Sequence, residues 1–300
     1  MKLQPQKVLI IGSSNTDMVV RTSQFPQPGE TVLGGEFIMT GGGKGANQAV
    51  AAARLGAKLN FVTKIGKDVF GSFTLASLRQ EGIDTSTVIK TGKYPSGVAL
   101  INVNDDGENT IVVASGANME LMPRDIKEDL YKNAAFILIQ LEIPLATVEQ
   151  IVVTAKHFNT KVVLNPAPAT PLSAAVLDGL YLITPNEIEA EMLAGVYPGS
   201  LPAMKKVGKY FIDNGVQNVV ITLGAKGVFL MTAHSSGILP SPTVTAVDST
   251  AAGDVFNGAL VTFLAEGMEL REACEFACKA ASISVTRRGA QASAPYRKEL

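Results

Sequence analysis

Short apolar runs rich in Val and Ile recur along the chain at Lys7 to Ile11, Asn60 to Ile65, Ala135 to Leu141, Lys161 to Leu164, Leu180 to Thr184 and Asn218 to Leu223. Between them lie segments with helical periodicity: Gly45 to Leu55 closed by Gly56, Phe70 to Glu81 closed by Gly82, Leu145 to His157, and Asp254 to Glu266 closed by Gly267. Apolar runs without an exposed polar face, alternating with helices, predict an α/β fold with a mostly parallel central sheet covered by helices on both faces. Ligands then belong at the carboxyl ends of the strands.

Two regions depart from this rhythm. Met18 to Thr40 carries the turn cluster Phe25-Pro26-Gln27-Pro28-Gly29, and Ser96 to Ala114 carries Asn104-Asp105-Asp106-Gly107 between alternating strands. Both read as hairpins. Together they predict a small projecting antiparallel sheet, spanning approximately residues 15–40 and 94–115, that acts as a lid; an edge extension of the main sheet is the alternative. With no internal repeat and no low-complexity linker, residues 1–300 read as one domain.

Composition narrows the partners. Of the 300 residues 46% are hydrophobic and 18% charged, and 26 Lys plus Arg balance 27 Asp plus Glu without any block of one sign. Neither nucleic acid nor an anionic membrane is expected, which leaves a small molecule. Met1 to Gln6 are polar and the run Val8 to Ile11 is too short for a secretory or membrane-spanning segment, so a cytoplasmic protein is expected. Cys274 and Cys278 stand four apart on one helix face and read as core thiols. His157 and His234 have no ligand-spaced partners and read as surface residues.

Two segments carry candidate chemistry. In Val247 to Ala259 the small residues Ala251, Ala252 and Gly253 admit a ligand close to the backbone, and the helix that follows points its free N–H groups at that spot. Asp254 stands at this anion site as a base for an incoming hydroxyl, or as a mere helix N-cap. In Thr40-Gly41-Gly42-Gly43-Lys44-Gly45-Ala46-Asn47-Gln48-Ala49 a glycine run opens an alanine-rich helix. Gly45 follows Lys44 where a Walker A loop needs Ser or Thr, so that site is excluded. The run offers backbone amides with Lys44 and Asn47 as donors for hydroxyls, or is simply a tight turn.

These two segments, in this order and about two hundred residues apart, resemble the signatures of the ribokinase-like (phosphofructokinase B) sugar kinases. The resemblance continues through Gly12 to Asp17, Gln140-Leu141-Glu142, Leu164 to Ala169, Thr184 to Glu189, Thr222 to Gly227 and Thr286 to Gln291. It implies an ATP-dependent kinase of a sugar hydroxyl, ribose first, with deoxyribose, fructose or a nucleoside as alternatives. It implies sugar contacts from Asn15, Asp17, Gly42, Gly43, Lys44, Asn47, Glu142 and Asp254, with Ala251, Ala252, Gly253 and Asp254 at the reacting phosphate. For the nucleotide it implies Asn186, Thr222, Gly224, Gly227, Gly253 and the neighbourhood of Cys278. Asn186 with Glu189 resembles an Asn-x-x-Glu motif tied to Mg²⁺, and Asp248, Thr250, Ser284, Arg287, Gly289 and Ser293 match loops that bind a monovalent cation such as K⁺.

Three positions depart from the family pattern: Ser249, Val255 and Cys278. A homodimer formed through the lid is expected, because Val98, Leu100 and Asn102 alternate with Gly97, Ala99 and Ile101 and a small sheet needs its second face covered. Two readings from other classes compete: a sugar-binding regulator without catalysis, opposed by the intact Gly253-Asp254 pair, and a dinucleotide-dependent oxidoreductase, which lacks its fingerprint.

Overall fold

A computed structural model describes residues 6–300; residues 1–5 lie outside the described part. In chain order the first half comprises β1 (Val8–Ile11), β2 (Asn15–Arg21), β3 (Phe37–Gly42), α1 (Lys44–Arg54), β4 (Leu59–Val62), β5 (Lys64–Gly66), α2 (Val69–Gln80), β6 (Ile89–Thr91), β7 (Gly97–Val103), β8 (Asn109–Ala114) and α3 (Glu128–Lys132). The second half comprises β9 (Phe136–Ile139), α4 (Leu145–His157), β10 (Lys161–Leu164), α5 (Ala174–Leu177), β11 (Leu182–Ile183), α6 (Glu187–Ala194), α7 (Leu201–Asp213), β12 (Asn218–Thr222), β13 (Val228–Thr232), β14 (Ser236–Leu239), α8 (Ala252–Ala265) and α9 (Leu270–Ser284).

The main sheet has eight strands in the order β14-β13-β12-β11-β10-β9-β1-β4. Its pairings are parallel from β4 through β12 and antiparallel at β12-β13 and β13-β14. The antiparallel edge hairpin was not foreseen from the apolar runs. Successive side chains of each strand feed opposite faces, so Val8, Ile10, Phe61 and Leu138 pack with α1, α8 and α9, whereas Leu9, Ile11, Val62 and Ile137 pack with α4 and α7. Burial on both faces is why the central strands carry no polar alternation.

Helix ends follow the glycines: Gly56, Gly82 and Gly267 lie one residue beyond the C-caps of α1, α2 and α8 at φ of 92°, 73° and 90°, where a Cβ would be strained. The run Asn60 to Ile65, by contrast, divides into two strands. Lys64 cannot continue a strand buried on both faces, and its ammonium instead meets Asp125 (2.8 Å) and the Glu120 carbonyl (2.7 Å). The chain from Lys64 therefore pairs with β6 in a separate two-stranded sheet.

The small sheet exists, in the order β3-β2-β7-β8, but it is mixed. β2-β3 and β7-β8 are antiparallel hairpins, while β2 and β7 run parallel from Asn15 opposite Gly97 to Arg21 opposite Val103. The two hairpins leave the body side by side in the same direction, because Asn15 and Gly97 are both anchored at the root: Asn118 Nδ2 donates to Asn15 Oδ1 (2.8 Å), in space a Cβ on Gly97 would occupy. Both faces of this sheet carry exposed apolar side chains, Met39, Leu100 and Val112 on one and Ile38, Ile111 and Val113 on the other. His157 and His234 are exposed, and Cys274 and Cys278 are free and buried.

Candidate active site at the start of α8

Helices α1 and α8 pack so closely that a Cβ on Gly258 would fall 2.5 Å from the Gln48 carbonyl oxygen and 2.8 Å from the Ala51 methyl. That approach brings the two chemical segments of the sequence together. The N-cap of α8 is Ala251, left-handed at φ 59°, and no side chain caps this end. Asp254 is the third helical residue, so its carboxylate is not the N-cap. It is 6% exposed, and it accepts Asn47 Nδ2 at Oδ2 (3.0 Å) and Gln48 Nε2 at Oδ1 (2.9 Å). Burial pushes its pKa above the ordinary carboxylate range, against the pull of the Lys44 charge and the two amide donors.

The glycine run closes the other side. Gly43, at φ 84°, is the N-cap of α1, and a Cβ there would meet the Asn15 backbone nitrogen at 2.8 Å. Glu142 accepts the Lys44 backbone N–H (3.0 Å) and the Ser13 hydroxyl (2.5 Å) on the same oxygen. Asp17 lies against Gly42; burial, then the neighbouring charges of Glu142 and Asp254, raise its pKa to about 7. Burial works against the Lys44 ammonium, but Asp254, Glu142 and Glu189 outweigh it and hold its pKa above the ordinary value. Asn47 Oδ1 is buried without a partner. Three carboxylates, one ammonium and an unpaired amide oxygen thus lie close together, a donor and acceptor set suited to vicinal hydroxyls.

A cleft of about 590 Å³ opens on the far side of Gly253, lined by Val228, Val244, Ala246, Phe256, Cys278 and Val285 among others. Asn186, Thr222, Gly224 and Gly227 border it, at the carboxyl ends of β11 and β12 where the fold places ligands. Burial raises the Cys278 thiol to about 11. Adjoining the cleft is a smaller space of about 190 Å³, walled by Lys44, Glu189 and Ala251 through Asp254. Asn186 and Glu189 cap α6 reciprocally, Asn186 Oδ1 accepting Glu189 N (2.8 Å) and Glu189 Oε2 accepting Asn186 N (2.9 Å). The Glu189 carboxylate is half-buried, and burial raises its pKa.

The loops around Asp248 and Ser284 to Ser293 are stitched to each other. Val247 N and Asp248 N donate to the Val285 carbonyl, and Asp248 accepts Thr250 N (2.9 Å) and Gly289 N (2.9 Å). Although burial opposes it, those hydrogen bonds hold Asp248 below the usual carboxylate range. Ser284 and Ser293 turn their hydroxyls to the local carbonyls of Ala281 and Ala290, and Arg287 pairs with Glu299. Among the described residues no group of three or more His, Cys, Asp or Glu is placed to hold a metal ion.

Several residues of the site carried no assigned role in the sequence reading. Gln48, Gln140, Asn165, Thr184 and Asn257 form a buried polar chain around Asp254, and Asn165, Thr184 and Asn257 also line the 190 Å³ space. Their signal was available: Gln48 interrupts the fully buried Ala46 to Ala52 stretch of α1, where a polar side chain needs a partner.

The chain is similar to known proteins over nearly its whole length. Residues 5–297 match the family model described as pfkB family carbohydrate kinase. A Haemophilus influenzae protein named ribokinase is 46% identical over 292 residues, covering 97% of this chain and 95% of its own. A Salmonella typhi deoxyribokinase is 37% identical, covering 96% and 95%. The structure of Arabidopsis thaliana ribokinase complexed with ribose and ATP superposes with a TM-score of 0.93 at 31% identity, covering 99% of this chain and 97% of that one.

Proposed function

The chain belongs to the pfkB family of carbohydrate kinases, and on that footing we propose that it transfers the γ-phosphoryl group of ATP to D-ribose, forming ribose 5-phosphate. One observation carries the proposal: the buried Asp254 carboxylate stands at the uncapped start of α8, with the polar side chains of Asp17, Lys44, Asn47 and Glu142 close to it and an apolar cleft fit for a nucleoside beside the same helix end.

In this reading Asp254 accepts the proton of the attacking hydroxyl, and the Ala251 to Asp254 backbone faces the charge of the transferred group. Asn15, Asp17, Gly42, Gly43, Lys44, Asn47 and Glu142 hold the sugar; the buried Asn47 Oδ1, lacking a partner, awaits a hydroxyl donor. The adenosine part lies in the cleft along Asn186, Thr222, Gly224, Gly227 and Cys278.

Mg²⁺ supplies neutralisation of phosphate charge, and Glu189 fits it, since a half-buried carboxylate whose ionised form is disfavoured gains from a cation. The Asp248 and Ser284 to Ser293 loops would hold a K⁺ ion through oxygens of Asp248, Thr250, Ser284, Arg287, Gly289 and Ser293.

Residues 1–300 act as one domain, with the sheet of β2, β3, β7 and β8 as lid over the sugar and as the contact in a homodimer. The free cysteines support a cytoplasmic setting, where thiols stay reduced.

The test is release of ADP from ATP with a panel of D-ribose, deoxyribose, fructose and nucleosides. Ribose is expected to give the highest kcat/KM. A preference for deoxyribose would favour the second reading, which the 37% identical deoxyribokinase keeps open; no sugar-dependent ADP release would reject a kinase.

A further inference from the structure

Gln48 is fully buried, and every polar atom of its side chain is used. Its Nε2 donates to Asp254 Oδ1 (2.9 Å) and to Asn165 Oδ1 (3.0 Å), and its Oε1 accepts Gln140 Nε2. The amide has one tolerable orientation. Turned over, its oxygen would face two acceptors and its N–H₂ would face another N–H₂. Asn165 is fixed in turn by donating to the Thr184 carbonyl (3.4 Å). Thr184 donates its hydroxyl to Asn257 Oδ1 (2.6 Å), and Asn257 Nδ2 donates to the Gly253 carbonyl (2.8 Å). The hydrogen bonds therefore leave Asp254, cross α1 and the ends of β10 and β11, and return to the residue before Asp254.

We propose that Gln48 is the positioning residue for the Asp254 carboxylate, locking its rotation through Oδ1 while Asn47 holds Oδ2. This inference rests on the reading of Asp254 as the base. Gln48 lines neither cavity; it reaches the site through Asp254 and through Asn165, which lines the 190 Å³ space. A neutral amide is the group the place requires: it donates two hydrogen bonds to acceptors without adding charge, whereas a carboxylate would set a second anion against Asp254.

Two variants test it, Gln48→Met, which keeps length and loses both donors, and Gln48→Glu, which puts an acid in the same space. Three readouts apply: steady-state kinetics with ribose and ATP, the pH profile of kcat/KM, and titration of the Asp254 carboxyl by ¹³C NMR, assigned by its loss in Asp254→Asn. We expect Gln48→Met to lower kcat by about ten- to a hundredfold with ribose KM changed by less than about threefold, since hydrogen bonds to charged groups carry such factors. The Asp254 titration should move to higher pH in Gln48→Met and further in Gln48→Glu, with the acid limb of the profile moving alongside. An unmoved Asp254 titration in both variants would overturn the proposal. A titration that moves while the acid limb stays fixed would uphold Gln48 as the holder of the carboxylate and reject Asp254 as the base. Should Gln48→Met fail to fold, Gln48→Glu alone decides by the same titration.

Discussion

The Asp17 carboxylate occupies the space that a side chain on Gly42 would need: a Cβ there would lie 2.0 Å from Asp17 Oδ2. The obstruction is the tip of a side chain rather than backbone, so in Gly42→Ala the carboxylate must turn away while the fold stays. Losing a charged hydrogen-bond acceptor is expected to raise the KM for ribose by at least about tenfold, with the KM for ATP and the melting temperature nearly unchanged. Steady-state kinetics with a thermal melt check this. An unchanged ribose KM would contradict the placement of Asp17 in the sugar site.

Asp17 also predicts proton release on sugar binding. Its pKa is raised to about 7, by burial first and then by Glu142 and Asp254, so near pH 6.5 a good part of the free enzyme carries the proton. Hydroxyl donors favour the ionised form, and binding expels that proton. Titration calorimetry at pH 6.5 in buffers of different ionisation enthalpy should show it, and Asp17→Asn should abolish it. Stability follows the same group. The folded state keeps the proton that the unfolded state loses above its ordinary pKa of 3.8, so the contribution present at low pH declines from about pH 4 to pH 7. Buffer-independent binding heats would contradict the assignment.

Much of this was legible in the sequence. The buried runs Val8 to Ile11 and Lys161 to Leu164 fixed the parallel sheet because strands covered on both faces cannot alternate, and Gly56, Gly82 and Gly267 marked helix ends because only left-handed backbone turns the chain there. The pairing of β2 with β7 was hidden, since alternation sets which face a residue takes but not which strand lies beside it or in which direction. The split at Lys64 depended on Asp125, 61 residues away. In the site, residue types drew attention to the glycine run and Asp254, and the fold brings these two segments into contact. The partners of Gln48 and Asn165 could not be read, because they come from packing of α1 against α8 and not from spacing.

The exposed apolar faces of the small sheet predict association. Phe37 is 61% exposed, Leu100 52% and Val112 67%, on a four-stranded sheet too small to leave such a surface in water without cover. Val112→Glu is expected to shift the protein toward monomer in analytical ultracentrifugation across a dilution series and to lower activity with it. Wild-type protein that sediments as a fully active monomer at assay concentrations would contradict the dimer.

For the cation, Asp248 ties Thr250 and Gly289 together at 2.9 Å each and forms the hinge between the two loops that would hold K⁺. Replacing Na⁺ by K⁺ at constant ionic strength is expected to raise kcat, and Asp248→Ala to erase the difference. Equal rates in both salts for the wild-type enzyme would reject this site.

The central claim is that Asp254 removes the proton from the sugar hydroxyl, and Asp254→Asn tests it most directly. Asparagine keeps the shape, and its one oxygen can still accept the Gln48 amide, but it cannot accept a proton. Because general-base catalysis typically supplies about 10²–10⁴ in rate, kcat for ADP release with ribose is expected to fall by at least about a hundredfold, while ribose binding measured by calorimetry stays within about threefold. Near-normal turnover in Asp254→Asn, with ribose still bound, would place the base elsewhere and contradict the account.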